Sequence, residues 1–258
     1  MNVDGGRVLV IGGVRRLGFR LALDLAEHGA AVCISSRVSG PESAAAVKRL
    51  TAAGAGAAHA IAGDVRRPEA ATRLVRQAAD ALGGIDGLLF AASGPFVPSA
   101  PQDIDETSWD ASFDTIAKGF FYASCAARDE FVRMAARRAG GSDRGPAGVI
   151  VALTDYLGLQ PWSAFAAHGA AKAAQIHLLK ELAKAWADDG VRVCGVAPGP
   201  VDLDDDEHRA ATLRAAAKAA APRLVGASDI GHAVRFCFET DGVTGVNVPV
   251  DNGSLLTS

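Results

Sequence analysis

Seven short apolar runs recur along the chain, each followed by a longer helical stretch or, at the last, by the end of the sequence. This alternation constrains the fold more than any other feature. The runs are RVLVIG (7–12), AVCISS (31–36), AHAIAG (58–63), GLLFAA (87–92), GVIVAL (148–153), VRVCGVA (191–197) and GVNVPV (245–250). Most are continuously apolar rather than alternating, the pattern of strands buried on both faces of a parallel sheet. Between them lie LGFRLALDLAEHG, ESAAAVKRLTAAG, PEAATRLVRQAADALGG and the helical regions 104–139, 163–189 and 228–239. Strands alternating with helices predict βαβ units joined by right-handed crossovers. The fold class is therefore α/β: a doubly wound, seven-stranded parallel sheet in a three-layer α/β/α domain spanning 1–258.

The chain is 49% apolar and 21% charged, enough to bury a substantial core. Its net charge of -3, without a Lys/Arg cluster, excludes an electrostatic nucleic-acid partner. Cys33, Cys125, Cys194 and Cys237 lie far apart in apolar segments and read as reduced core residues of a cytoplasmic protein. The N-terminus MNVDGGRVLVIGG leads straight into a strand, so no signal peptide is expected. No uncharged apolar stretch approaches the roughly 20 residues that span a bilayer, so no membrane partner is expected either. GGSDRGPAG (140–148) reads as a surface loop. The segment 202–224, DLDDDEHRAATLRAAAKAAAPRL, begins acidic and continues as an Ala-rich helix. Its acids could serve as a helix cap; the functional reading is a lid over a substrate pocket.

The first strand runs into Gly12-Gly13-Val14-Arg15-Arg16-Leu17-Gly18. A glycine-rich turn from strand to helix lets the backbone approach a pyrophosphate, which the helix N-terminus stabilises. This is the Rossmann-like arrangement. The second strand ends at Ser35-Ser36-Arg37, with no carboxylate to hold ribose hydroxyls. Arg37, with Arg15, is placed to pair with a 2′-phosphate, which favours NADP(H) over NAD(H). Arg37 as a solvated strand-end residue is the plainer alternative.

Further along, AFAAHGAAKAA sets His168 four residues before Lys172, on one helix face a turn apart. Asp155, thirteen residues before His168, ends the strand that leads towards that helix. Imidazole, with an ordinary pKa of about 6.5, is a competent acid or base near neutrality. Asp155 favours its charged form and Lys172 disfavours it.

These motifs resemble the short-chain dehydrogenase/reductase family over nearly the whole chain. Gly12 and Gly18 match the outer glycines of its T-G-x-x-x-G-x-G fingerprint, while Ile11 and Arg16 depart from it. Asp64-Val65 is similar to the adenine-contacting Asp-Val. Ala92-Ser93-Gly94 stands within the usual Asn-Asn-Ala-Gly. Pro198-Gly199-Pro200-Val201 resembles the loop that meets the nicotinamide. The segment DYLGLQPWSAFAAHGAAKAA looks most like bacterial pteridine-reductase-like members, in which an aspartate replaces the usual serine. In the family a tyrosine exchanges the proton, a lysine lowers its pKa and holds the nicotinamide ribose, and a helix asparagine maintains a relay. Here His168 stands at the tyrosine and Ile116 at the asparagine; only Lys172 is unchanged.

The resemblance implies cofactor contacts from Gly12, Arg15, Arg16, Leu17, Gly18, Ser36, Arg37, Asp64, Val65, Ala92, Ser93, Gly94, Lys172, Pro198, Gly199 and Val201. Catalysis would rest on Asp155, His168 and Lys172. The pocket would be lined by Phe96, Trp162 and Pro200; the rings of Phe96 and Trp162 either stack on a flat substrate or simply pack. An NADPH-dependent reductase of a cyclic carbonyl, imine or pterin-like heterocycle is the leading reading. A non-redox isomerase, dehydratase or cyclase and an inactive nucleotide-binding subunit remain as alternatives. The family's habit implies a homotetramer or homodimer through the two long helices.

Other candidates read as structural. Tyr156 should face away from Asp155 by strand alternation. Tyr122 reads as core or interface. His28, His59, His177, His208 and His232 lack metal-ligand spacing, so no metal is expected. Asp86 reads as a solvated turn residue, and no G-x-S-x-G is present.

Overall fold

The computed structural model describes residues 1–138, 146–203 and 209–257. Seven parallel strands form one sheet in the order β3-β2-β1-β4-β5-β6-β7. They are β1 Arg7–Ile11, β2 Ala31–Ser36, β3 Ala58–Ala62, β4 Gly87–Phe90, β5 Gly148–Leu153, β6 Val191–Pro198 and β7 Asn247–Val250. The strand order reverses between β1 and β4, which opens a crevice at the carboxyl ends of these strands.

Burial follows position in the sheet. Every residue of β4, β5 and β6 is buried, whereas the edge strands β3 and β7 are only partly covered. Successive side chains point to opposite faces. Val8, Val10, Val32, Ile34, Val149 and Val151 therefore enter one core. Leu9, Ile11, Cys33, Phe90, Ile150 and Ala152 enter the other. The first core is closed by the helices α1 (Arg16–Glu27), α2 (Pro41–Ala52) and α8 (Ala227–Glu239). The second is closed by α3 (Pro68–Leu82), α5 (Gly119–Arg138) and α6 (Ala166–Ala185). The three-layer α/β/α domain expected from the sequence is the fold observed.

Region 104–139 is not one helix. It divides into α4 (Glu106–Phe113), a π-helical turn Asp114–Lys118 and α5. A π-turn inserts a residue and often marks a functional site; here it carries Ile116 into full burial. In the expected lid segment, α7 covers Arg209–Ala216, and Val201 pairs with Val225 beneath it. His208, the acidic run 204–207 and most of the 140–148 loop lie outside the described residues.

Asp86 departs from its reading as a solvated turn residue. Its carboxylate accepts from Arg7 Nε at 2.7 Å and Nη2 at 2.8 Å, a bidentate pair that clamps the start of β1 to that of β4. The partner lies 79 positions away, so local sequence could not show it. Cys33, Cys194 and Cys237 are buried and Cys125 only partly; all four are free thiols. No helix among the described residues is long and apolar enough to cross a membrane.

Candidate active site

The nucleotide end of the site is built mainly from backbone. Gly12 has φ +80°, and a Cβ there would meet Ala92 N at 2.8 Å, so glycine lets β1 and β4 converge at the crevice. A Cβ on Gly18 would meet the Gly12 carbonyl oxygen, so that glycine seats α1 against the turn. Arg15 caps α1 without a side-chain hydrogen bond, and the first helical turn holds no acidic residue. The N–H groups of Arg16, Leu17 and Gly18 are helix-start donors without intrahelical acceptors. That donor set fits a pyrophosphate. Arg16 adopts φ +52°, a conformation that costs a non-glycine residue energy.

At the end of β2, Ser36 donates to the Val38 carbonyl at 2.8 Å and Arg37 is exposed. Arg15 lies 3.7 Å from Glu42 in an exposed ion pair. Asp64 is held by Arg66, with Nη2 to Oδ2 at 2.5 Å, and this guanidinium pushes the carboxyl below its ordinary range. Val65 is buried and packs towards Gly119. Ala92 and Gly94 are half-buried and Ser93 is exposed beyond β4; a Cβ on Gly94 would meet Ser112 Cα at 2.8 Å. Pro198, Gly199 and Pro200 are buried at the end of β6, with Val201 half-buried beyond them.

The acid–base end is made from side chains. His168 and Lys172 occupy one face of α6, and both are buried, at 4% and 3% exposure. His168 Nε2 lies 3.3 Å from Asp155 Oδ2, so the carboxylate assigns a proton to Nε2. Asp155 Oδ1 accepts from Leu157 N at 2.9 Å, which caps the 3₁₀ turn Tyr156–Gly158 and fixes the carboxylate. His168 Nδ1 is buried and has no protein partner. Lys172 Nζ donates to the Leu153 carbonyl at 2.6 Å. Burial lowers the Lys172 pKa to about 8, against an opposing pull from Asp155. The structure thus brings together the three residues that the sequence singled out.

Tyr156 is half-buried; burial, Asp155 and Asp251 all push its phenol pKa up, so it supplies no ready proton acceptor. Tyr122 is 37% exposed on α5. Phe96 and Trp162 do not pack on each other. Phe165 lies between them, stacked on Phe96 at 4.1 Å and edge-on to Trp162 at 5.1 Å. Phe96 also meets the His168 ring edge-on at 5.0 Å. Phe165 is therefore part of the site and was missed. It read as the lead into a helix, but it ends a 3₁₀ turn that directs its ring inward. Among the described residues no group of three His, Cys, Asp or Glu side chains could hold a metal ion.

The family profile described as short chain dehydrogenase matches residues 7–213. The chain belongs to this short-chain dehydrogenase family. It is 31% identical over 256 residues to a peroxisomal 2,4-dienoyl-CoA reductase of Rattus norvegicus, covering 96% of this chain and 83% of the relative. It is also 31% identical over 268 residues to 3beta-hydroxysteroid dehydrogenase 1 of Eggerthella lenta, covering 99% and 95%. A solved short chain dehydrogenase from Burkholderia cenocepacia J2315 in complex with NADP is 28% identical, with TM-score 0.84 over 99% of this chain and 100% of that one. Short-chain dehydrogenases are oxidoreductases that take a nicotinamide cofactor, and this chain's glycine turn and helix start fit one. Neither named relative is a pteridine reductase. The branch drawn from Asp155 and Trp162 therefore widens to the short-chain dehydrogenases as a whole.

Proposed function

We propose that this short-chain dehydrogenase is an NADPH-dependent reductase of a cyclic carbonyl, imine or flat, conjugated heterocycle. The observation that carries the reading is the partly buried contact between His168 Nε2 and Asp155 Oδ2. Arg15 and Arg37, with no carboxylate at the end of β2, support NADPH over NADH. The NADP complex of the Burkholderia relative supports the same choice. The named reaction of the rat relative on a dienoyl thioester supports a conjugated substrate.

Bound NADPH supplies a hydride to the substrate carbon. The chain's own residues do the rest. Protonated His168 gives its Nε2 proton to the substrate oxygen or nitrogen and becomes neutral imidazole. Asp155 stabilises the imidazolium before transfer and orients the ring. Lys172, one turn along α6, is held by the Leu153 carbonyl and is placed to hold the nicotinamide ribose. Imidazole is shorter than phenol, so the substrate heteroatom must approach α6 closely. Phe96 and Trp162 offer ring faces against a flat substrate, and Pro200 closes the floor. Residues 209–224, which carry α7, act as a lid over the site, and α5 and α6 form the interface of a homotetramer or homodimer.

The test is to follow NADPH absorbance while a panel of cyclic ketones, imines, enones and pterins turns over. NADPH loss matched to reduced product is expected. Product formed with no NADPH consumed would sink the reading and favour isomerase, dehydratase or cyclase chemistry. Failure of NADPH to raise the melting temperature at millimolar concentration would remove the cofactor.

A further inference from the structure

The carboxyl edge of the sheet sets where each part of a dinucleotide can lie. The glycine turn after β1 fits the pyrophosphate, and the end of β2 stands where a ribose is held. Strands β1, β2 and β3 are neighbours in that order, about 4.8 Å apart. The base therefore falls beyond the ribose, over the end of β3. Ser36 pairs with Ala62 in the sheet, so Asp64 stands just past the last paired residues. The resemblance gives the base contact to Asp64, but its carboxylate is already engaged.

Backbone and side-chain N–H groups of Arg66 converge on that carboxylate. Oδ1 accepts from the backbone N at 3.1 Å and from Nε at 2.9 Å. Oδ2 accepts from Nε at 3.0 Å and from Nη2 at 2.5 Å. A carboxylate offers about four lone-pair directions, and these contacts use them. A forked Arg–carboxylate pair is also among the stronger charge-assisted contacts. The guanidinium carries more N–H groups than the fork takes, and those left on Nη1 and Nη2 make no hydrogen bond among the described residues. Arg66 is the more exposed partner, at 37% against 25%. Asp114, whose charge also reaches Arg66, accepts from Lys118 at 3.0 Å. Arg37 adds a second positive charge within reach of Asp64. The end of β3 thus presents donors where the resemblance would put an acceptor.

We propose that Arg66, not Asp64, meets the purine at its 6-position, and that the site takes a 6-oxopurine dinucleotide at least as well as one bearing adenine. A carbonyl at that position accepts from the guanidinium, whereas an amino group donates and Asp64 has no lone pair to spare for it. The inference rests on the nicotinamide-cofactor reading and adds which base that cofactor can carry.

Calorimetry with NADPH and its hypoxanthine analogue, in which a carbonyl replaces the 6-amino group, tests this without turnover. The unaltered chain should bind the two within about threefold, or favour the analogue. Arg66→Ala releases the Asp64 carboxylate and should shift the ratio towards NADPH by about tenfold, the worth of a hydrogen bond to a charged group. Asp64→Ala should leave the ratio as it is in the unaltered chain. A preference for NADPH of about tenfold in the unaltered chain, lost in Asp64→Ala, would give the base to Asp64 and overturn the proposal. So would an unchanged ratio in Arg66→Ala. Binding of neither nucleotide would remove the cofactor reading itself and this proposal with it, whereas a measured preference for adenine would overturn the proposal alone.

Discussion

The nucleotide end and the acid–base end sit on the same carboxyl edge of the sheet but are built from different materials. The first uses backbone: a glycine at φ +80°, a glycine against a carbonyl, and the bare N–H groups of α1. Its side chains, Arg15, Arg16 and Arg37, are exposed. The second uses three side chains, one just beyond β5 and two on α6, the latter nearly sealed from solvent. Backbone sites tolerate exchange of the residues around them, so Arg16 can stand where the family has a glycine. A buried side-chain cluster has less tolerance, because each polar member must keep its partner where water cannot replace it. The difference is sharpest at Lys172 and His168, which share one helix face with Asp155 within reach.

The largest expected effect strikes the side-chain end alone. His168→Ala should lower reductase turnover by about 10²–10⁴-fold, the usual worth of a general acid, and leave NADPH affinity intact. Full turnover in that variant would remove His168 from the chemistry. Next comes stability. Lys172 is buried with its pKa lowered from 10.5 to about 8. Below pH 8 the folded chain therefore holds a buried charge at a cost of about 3 kcal/mol. Lys172→Met should stabilise the nucleotide-free protein at pH 7 by up to about that amount. Its advantage should shrink as pH rises from about 8 to 10.5, because there the folded lysine has given up its proton while the unfolded one still holds it. Denaturant melts at pH 7 and pH 10 check the sign, and a destabilised variant at pH 7 would contradict it.

A third test strikes the backbone end. Gly18→Ala forces a methyl against the Gly12 carbonyl, costing about 1–3 kcal/mol of stability and loosening NADPH. Unchanged calorimetric affinity would show that the turn does not cradle the nucleotide. The smallest effect belongs to an exposed side chain. Arg37→Glu should cut NADPH affinity by about tenfold, or about 1.4 kcal/mol, with NADH affected less. Equal losses for both nucleotides would take Arg37 away from the 2′-phosphate.

Legibility in the sequence divides along similar lines. The apolar run 148–153 reproduces β5 residue for residue, because a strand buried on both faces has no polar positions to blur its ends. The last strand begins two residues later than its apolar run: Gly245 adopts φ +69° and Val246 is 40% exposed. The i, i+4 spacing of His168 and Lys172 placed both on one face, since helix periodicity is local. What depended on distant partners was hidden. Asp86 looked solvated until Arg7 met it across the sheet. The π-turn at Asp114–Lys118 left no mark, because one extra residue in a turn does not change composition.

Ile116 bears on how this site can change over time. It is fully buried in the π-turn, on the helix where the family's relay asparagine stands. Restoring the family's tyrosine at position 168 alone would leave that relay without its asparagine. Restoring asparagine at position 116 alone would bury an amide with no partner provided, at about 1–3 kcal/mol. An asparagine at position 116 would therefore need a second substitution beside it to supply a partner.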